Sequence, residues 1–254
     1  MKIPDLKSFL DEKVEEFNRP EFIETDPIQV AKQFSEKEDI EIAGFLTATI
    51  SWGNRAAIIK NALRLMELLD NQPYDFILNA SDDDLKGISR FVHRTFNGED
   101  LIYFIQSLQN IYHNYRGLQN IFEEGYEKGG SVFSSLSHFH DVFFEHSGER
   151  TRKHISNVKK GASAKRLNMY LRWMCRADKA GVDFGLWKGI PTSALMLPLD
   201  VHTGNVGRKL GLLQRRSNDW KAVEEVTATL RSFDAEDPIK YDFALFGLGV
   251  FEKF

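Results

Sequence analysis

The chain has 254 residues, 42% of them hydrophobic and 28% charged, with 18 glycines, 7 prolines and a formal net charge of −4. This is the composition of a folded globular protein, and it excludes disordered and collagen-like chains. A single cysteine, Cys175, excludes internal disulfides and any four-thiolate zinc or iron–sulfur site within one chain. The opening run MKIPDLKSFLDEKVEEF carries acids where a signal peptide needs an apolar core, and no long apolar run follows, so a cytoplasmic protein without membrane contact is expected.

In chain order, the apolar residues recur with helical spacing nearly throughout. The first forty residues read as polar, peripheral helices, with a helix start at Asp26-Pro27. Phe45, Leu46 and Ile50, then Ile58, Ile59, Leu63, Met66 and Leu69, keep three- and four-residue spacing, as do Leu101, Phe104, Ile105, Leu108 and Ile111. Ser81 before Asp82, Asp83 and Asp84, and Asn218 before Asp219 and Trp220, mark further starts. About ten or eleven short helices fit, no strand-like alternation persists, and an all-α fold follows. Turns at Lys128-Gly129-Gly130 and Ser147-Gly148 are the best candidates for an internal boundary, and neither is a convincing domain break. A Phe-rich stretch holds His138, His140, Asp141 and nearby His146. On a helix His138 and His140 point to different faces, which argues against their sharing one metal ion, and no metal is expected.

Charge is uneven. Between Arg152 and Lys179 stand nine basic residues (Arg152, Lys153, Lys159, Lys160, Lys165, Arg166, Arg172, Arg176, Lys179) against one acid, Asp178. Such a band on an acidic chain reads either as a solvated helix face or as a surface for an anionic partner. Within it, the small residues Gly161, Ala162, Ser163 and Ala164 form a tight turn leading into a helix, so that backbone N–H groups and the positive helix end face the same place, a geometry suited to phosphate. Lys165, in the first turn of that helix, is a candidate amine nucleophile or simply a phosphate or solvent contact. Further on, Pro198-Leu199-Asp200-Val201-His202 opens another helix. Asp200 can cap that helix while ionised, and so serve as a cap, a fixed negative charge or a base.

The tight turn, the lysine four residues after its first glycine, and the Leu-Asp-x-His stretch running on to Leu210-Gly211-Leu212 together resemble the helix-hairpin-helix DNA glycosylase superfamily, to which endonuclease III belongs. The spacing of Lys165 and Asp200, 35 positions apart, is similar to that in the archaeal 8-oxoguanine glycosylase branch, and the whole chain resembles a largely bacterial family related to it. The hairpin reads Gly-Ala-Ser where Gly-Val-Gly is usual. Ile42 to Trp52 looks like the early helix that ends at the base pocket, and Tyr241 to Gly249 like the late helix that closes it, so the resemblance covers roughly residues 38–252.

The resemblance implies a single two-lobed helical bundle with its DNA site between the lobes, and a base-excision glycosylase with AP-lyase activity. Lys165 and Asp200 would be catalytic. Lys159, Lys160, Gly161, Ser163, Arg166, His202 and Arg208 would contact DNA. Trp52, Asn54, Phe184, Trp187, Asp242 and Phe246 would form the base pocket. The partner implied is double-stranded DNA carrying a damaged base, an oxidised purine such as 8-oxoguanine, bound by a monomer. Endonuclease III carries a four-cysteine cluster, which a single cysteine cannot make, so no iron–sulfur cofactor is expected here. The competing expectation is a helix-hairpin-helix module that binds DNA without catalysis.

Overall fold

In the computed structural model, which describes residues 3–146 and 148–254, the chain is all-α apart from one minimal hairpin. Thirteen α-helices stand among the described residues, somewhat more than the periodicity predicts, because several are only one or two turns long. Two compact units form: Thr25–Ser156, and a second unit made of the residues up to Glu24 together with Asn157–Phe254. The junctions fall beside neither glycine turn. Lys128-Gly129-Gly130 lies inside the first unit, and Gly148 does too, while Ser147 lies outside the described residues.

The Thr25–Ser156 unit contains α2 (Ile28–Ala31), α3 (Lys37–Ile50), α4 (Arg55–Leu68), α5 (Pro73–Asn79), α6 (Asp82–Ile88), α7 (Gly98–Asn114), α8 (Leu118–Gly129) and α9 (Val132–Phe143). From Ile40 to Ile50 every residue of α3 is buried, as befits a mostly apolar helix at the centre of a bundle, and the buried Glu41 accepts a hydrogen bond from the Tyr112 hydroxyl at 2.9 Å. Phe45 of α3 stacks on Phe104 of α7 at 5.8 Å, and Phe122 of α8 stacks on Phe139 of α9 at 4.4 Å. These rings, fully buried, supply the unit's core, each burial contributing about 1.5–3 kcal/mol. The Gly129-Gly130 turn therefore closes a pair of packed helices, α8 on α9, and is no linker. Strands β1 (Val92–His93) and β2 (Phe96–Asn97) pair antiparallel between α6 and α7, too short to leave an alternating pattern in the sequence. Reciprocal caps at Ser81, Asn97 and Ser131 start α6, α7 and α9.

The other unit contains α1 (Ile3–Phe17), α10 (Lys165–Cys175), α11 (Val201–Lys209), α12 (Trp220–Phe233) and α13 (Tyr241–Val250). The N-terminal region departs from the expectation of peripheral helices. Leu6, Leu10 and Val14 recur every four residues along α1 and are buried, and this stripe packs α1 against α13. Gly247 makes the approach possible, since a Cβ there would lie 2.1 Å from a ring carbon of Phe17. α13 also packs on α11, so the helix carrying Asp242 is held from two sides.

Candidate active site

Lys165 opens α10. The preceding segment runs through a 3-10 turn at Val158–Lys160, then Gly161 at φ +82°, where glycine avoids the strain of a side chain. The Gly161 carbonyl accepts a hydrogen bond from the Trp220 N–H at 2.9 Å, and Ala162 forms an antiparallel bridge with Asp219, so the turn is pinned to the start of α12. Ala164, at φ +51°, occupies the N-cap of α10 and offers no side-chain cap. Lys159 and Lys160 are exposed, while Ser163, Lys165 and Arg166 are half-buried. Burial pushes the Arg166 guanidinium down to about 10, which leaves it charged at neutral pH.

Asp200 caps α11 as its position predicts. Its Oδ1 accepts hydrogen bonds from the Thr203 N–H at 2.9 Å and the Thr203 hydroxyl at 3.1 Å. Its carbonyl accepts from the Asn218 amide at 2.9 Å, and the Arg208 guanidinium donates to the Asn218 side-chain oxygen and, at 2.8 Å, to the Arg215 carbonyl. Arg208, expected at DNA, holds Asn218 beneath Asp200. Asn218 signalled only a helix start in the sequence, and the actual cap of α12 is its neighbour Asp219. His202 is exposed, and its Cβ would stand 3.2 Å from a Cβ added at Gly249, where α11 crosses α13.

The third element is α13. Asp242 is 5% exposed and hydrogen-bonded to Arg172 of α10. Its carboxyl is pushed up to about 6, chiefly by burial and further by the charge of Asp200, against the attraction of Arg172 and Lys165. Lys165 and Asp200, 35 residues apart in sequence, therefore both act on one buried carboxylate. Among the described residues no hydrogen bond or ion pair holds the Lys165 ammonium. The arrangement is an unengaged amine in the first turn of a helix, a carboxylate fixed by a cap, and a second carboxylate that titrates near pH 6. Such a set can supply a nucleophile and stabilise positive charge developing beside it.

Two further arginines correct the reading of the basic band. Arg172 and Arg176, 4% and 1% exposed, are buried among acids. Arg172 donates to Asp183 at 3.2 Å as well as to Asp242, and Arg176 donates to Asp183 at 3.0 Å and Asp237 at 2.9 Å and pairs with Asp178 at 2.7 Å. Both guanidiniums lie over the Phe243 ring, at 4.5 and 5.4 Å. Burial raises the Asp183 carboxyl and the two guanidiniums bracketing it oppose that shift, an arrangement in which each buried charge is compensated. These residues position α10 and α13 and present no surface to an anionic partner.

The expected base-pocket residues are drawn from both units. Trp187 is fully buried and meets Tyr170 edge-on at 5.4 Å, because the chain after α10 folds back, with the Phe184 and Trp187 N–H groups donating to Trp173 and Met174 carbonyls. It is a core residue of its unit. Phe184 is half-buried, and Phe246 packs edge-on against Phe22 at 6.0 Å and Phe251 at 6.1 Å. Trp52 and Asn54 belong to the Thr25–Ser156 unit. Trp52 is half-buried, stacked on His154 at 5.9 Å and edge-on to His93 at 5.0 Å. Asn54 caps α4, its side chain accepting from the Ala57 N–H at 3.1 Å. His138 sits 3.6 Å from Glu124, and among the described residues no group of three or more metal-ligating side chains is found. Nor is any helix there long and apolar enough to cross a membrane.

No curated protein and no solved structure matches the chain. One family model, described as protein of unknown function (DUF2400), matches residues 26–251, a span that takes in Lys165, Asp200 and Asp242. By that match over most of its length, the chain belongs to the DUF2400 family.

Proposed function

We propose that the chain is a DNA base-excision repair glycosylase with AP-lyase activity, working through a Schiff base on Lys165 and removing an oxidised purine such as 8-oxoguanine. The observation that carries this reading is the convergence of Lys165 and Asp200 on Asp242, which brings together an amine and a carboxylate from two motifs far apart in sequence. In this reading neutral Lys165 attacks C1′ of the damaged nucleotide and the N-glycosidic bond breaks, the base leaving with the bonding pair. Asp200 stabilises the positive charge that develops on the sugar. Opening of the sugar ring gives an iminium, loss of a C2′ proton follows, and the C3′–O bond breaks to nick the strand. The uncapped start of α10 and exposed Lys159 and Lys160 are suited to hold the strand's phosphates. The target nucleotide must be extruded from the duplex for this chemistry, at a cost of a few kcal/mol that phosphate and stacking contacts offset.

Borohydride trapping tests the reading, with duplexes carrying an abasic site or 8-oxoguanine. A covalent protein–DNA adduct is expected from the native chain and none from Lys165→Gln. Salt-sensitive duplex binding without an adduct from either DNA would favour the non-catalytic binding module.

A further inference from the structure

We infer that the Thr25–Ser156 unit carries a second nucleic-acid surface, formed by the exposed side of α4 and the β1–β2 hairpin, that grips the phosphate backbone of duplex DNA. Residues 51–66 and 85–98 contain six basic residues and no Asp or Glu, in a chain where acids outnumber bases. The structure joins these two segments. The Asn61 amide of α4 lies 3.1 Å from His93 Nδ1, His93 Nε2 lies 3.3 Å from the Trp52 carbonyl, and the Arg94 guanidinium covers Gly53, within 2.8 Å of where a Cβ would stand. Of the six, Lys86 pairs with Asp83 and Arg55 faces Asp26. Lys60, Arg64, Arg90 and Arg94 remain, all exposed, and among the described residues none of them pairs with a carboxylate.

Four unneutralised cations on neighbouring segments carry an electrostatic cost that a polyanion relieves. Three being arginines favours phosphate, which their planar forks bind in a bidentate manner. The hairpin points the same way. Arg94 sits at φ +55° in a two-residue turn, a left-handed position that glycine or asparagine fills with less strain, so the fold keeps an arginine where its backbone does not want one. Val92, 56% exposed between Arg90 and Arg94, adds an apolar surface beside the charges.

The identity of the polyanion rests on the reading of the chain as a DNA-acting protein; the surface itself does not involve Lys165 or Asp200. The test is fluorescence anisotropy with an undamaged duplex across a salt series. The quadruple variant Lys60→Gln, Arg64→Gln, Arg90→Gln, Arg94→Asn is expected to raise Kd roughly tenfold or more near physiological salt, and to make the log Kd against log salt plot shallower by about 0.9 for each phosphate no longer neutralised. Arg94→Asn alone should weaken binding while leaving the melting temperature unchanged or higher, which separates removal of a phosphate-binding group from damage to the fold. Equal Kd and equal slope for native and quadruple variant would overturn the surface. If they bind equally and the native chain still forms the borohydride adduct, the surface fails and the glycosylase reading stands. If binding weakens as expected and no adduct forms, the surface stands without it. A native chain that binds no duplex would overturn both.

Discussion

Replacing Asp242 by Asn removes a titrating group from the place where Lys165, Asp200 and Arg172 meet, and the consequence is calculable. A native pKa of about 6, against an ordinary value of 3.8, means that between those values the folded chain binds more protons at this position than the unfolded chain does. Its contribution to stability is therefore fully present below about pH 4, is lost as pH rises toward 6, and is constant above that. At about 1.4 kcal/mol per pH unit, the native chain gives up about 3 kcal/mol across the window through this one group. Other carboxylates, Asp100 and Asp178 among them, are held low by hydrogen bonds and nearby cations and push stability the other way, so the total profile does not isolate Asp242. The difference between native chain and Asp242→Asn does. Urea unfolding at intervals from pH 4 to pH 8 should show the variant gaining about 3 kcal/mol relative to the native chain by pH 7, with the gain concentrated between pH 4 and pH 6. Parallel stability curves would refute the placement of Asp242 as a buried carboxylate poised near pH 6.

Asn caps a helix about as well as Asp, so Asp200→Asn should keep native stability within a few tenths of a kcal/mol yet lower the rate of strand cleavage by about a hundredfold or more, whereas Asp200→Ala should lose about 1 kcal/mol as well; urea unfolding and a single-turnover nicking assay separate the two roles. Arg172→Ala strips the common partner from Asp183 and Asp242, both buried, and should destabilise the chain by about 3–5 kcal/mol in urea unfolding at pH 7, more than any exposed lysine of the band. Lys165 is half-buried and, among the described residues, makes no hydrogen bond, acting on the Asp242 carboxyl only through its charge, so Lys165→Gln should cost no more than about 1 kcal/mol in urea unfolding, which keeps it folded for use as a chemical control.

The helical character was legible because most helices here bury one stripe against a core, and Leu101, Phe104, Ile105, Leu108 and Ile111 repeat at that spacing whether or not their partners are known. Asp200 as a cap and Lys165 in a first turn were legible for the same local reason, since caps and small-residue turns act over three or four residues. The electrostatics were not. Arg172 and Arg176 look like any other cations of the band, and only the return of Asp183, Asp237 and Asp242 from distant segments turns them inward. Trp187 failed in the same way, because burial is decided by where the chain after α10 folds back. Acids absent from residues 51–66 and 85–98 were visible as spacing, but their significance depends on α4 and the hairpin lying side by side.

The central claim is that the Lys165 amine becomes bonded to DNA, and peptide mapping by mass spectrometry of the borohydride-trapped complex tests it most directly. The trapped nucleotide remnant is expected on the peptide containing Lys165 and nowhere else. An adduct mapped to Lys159, Lys160 or another amine, or no adduct from a folded chain that binds the duplex, would contradict it.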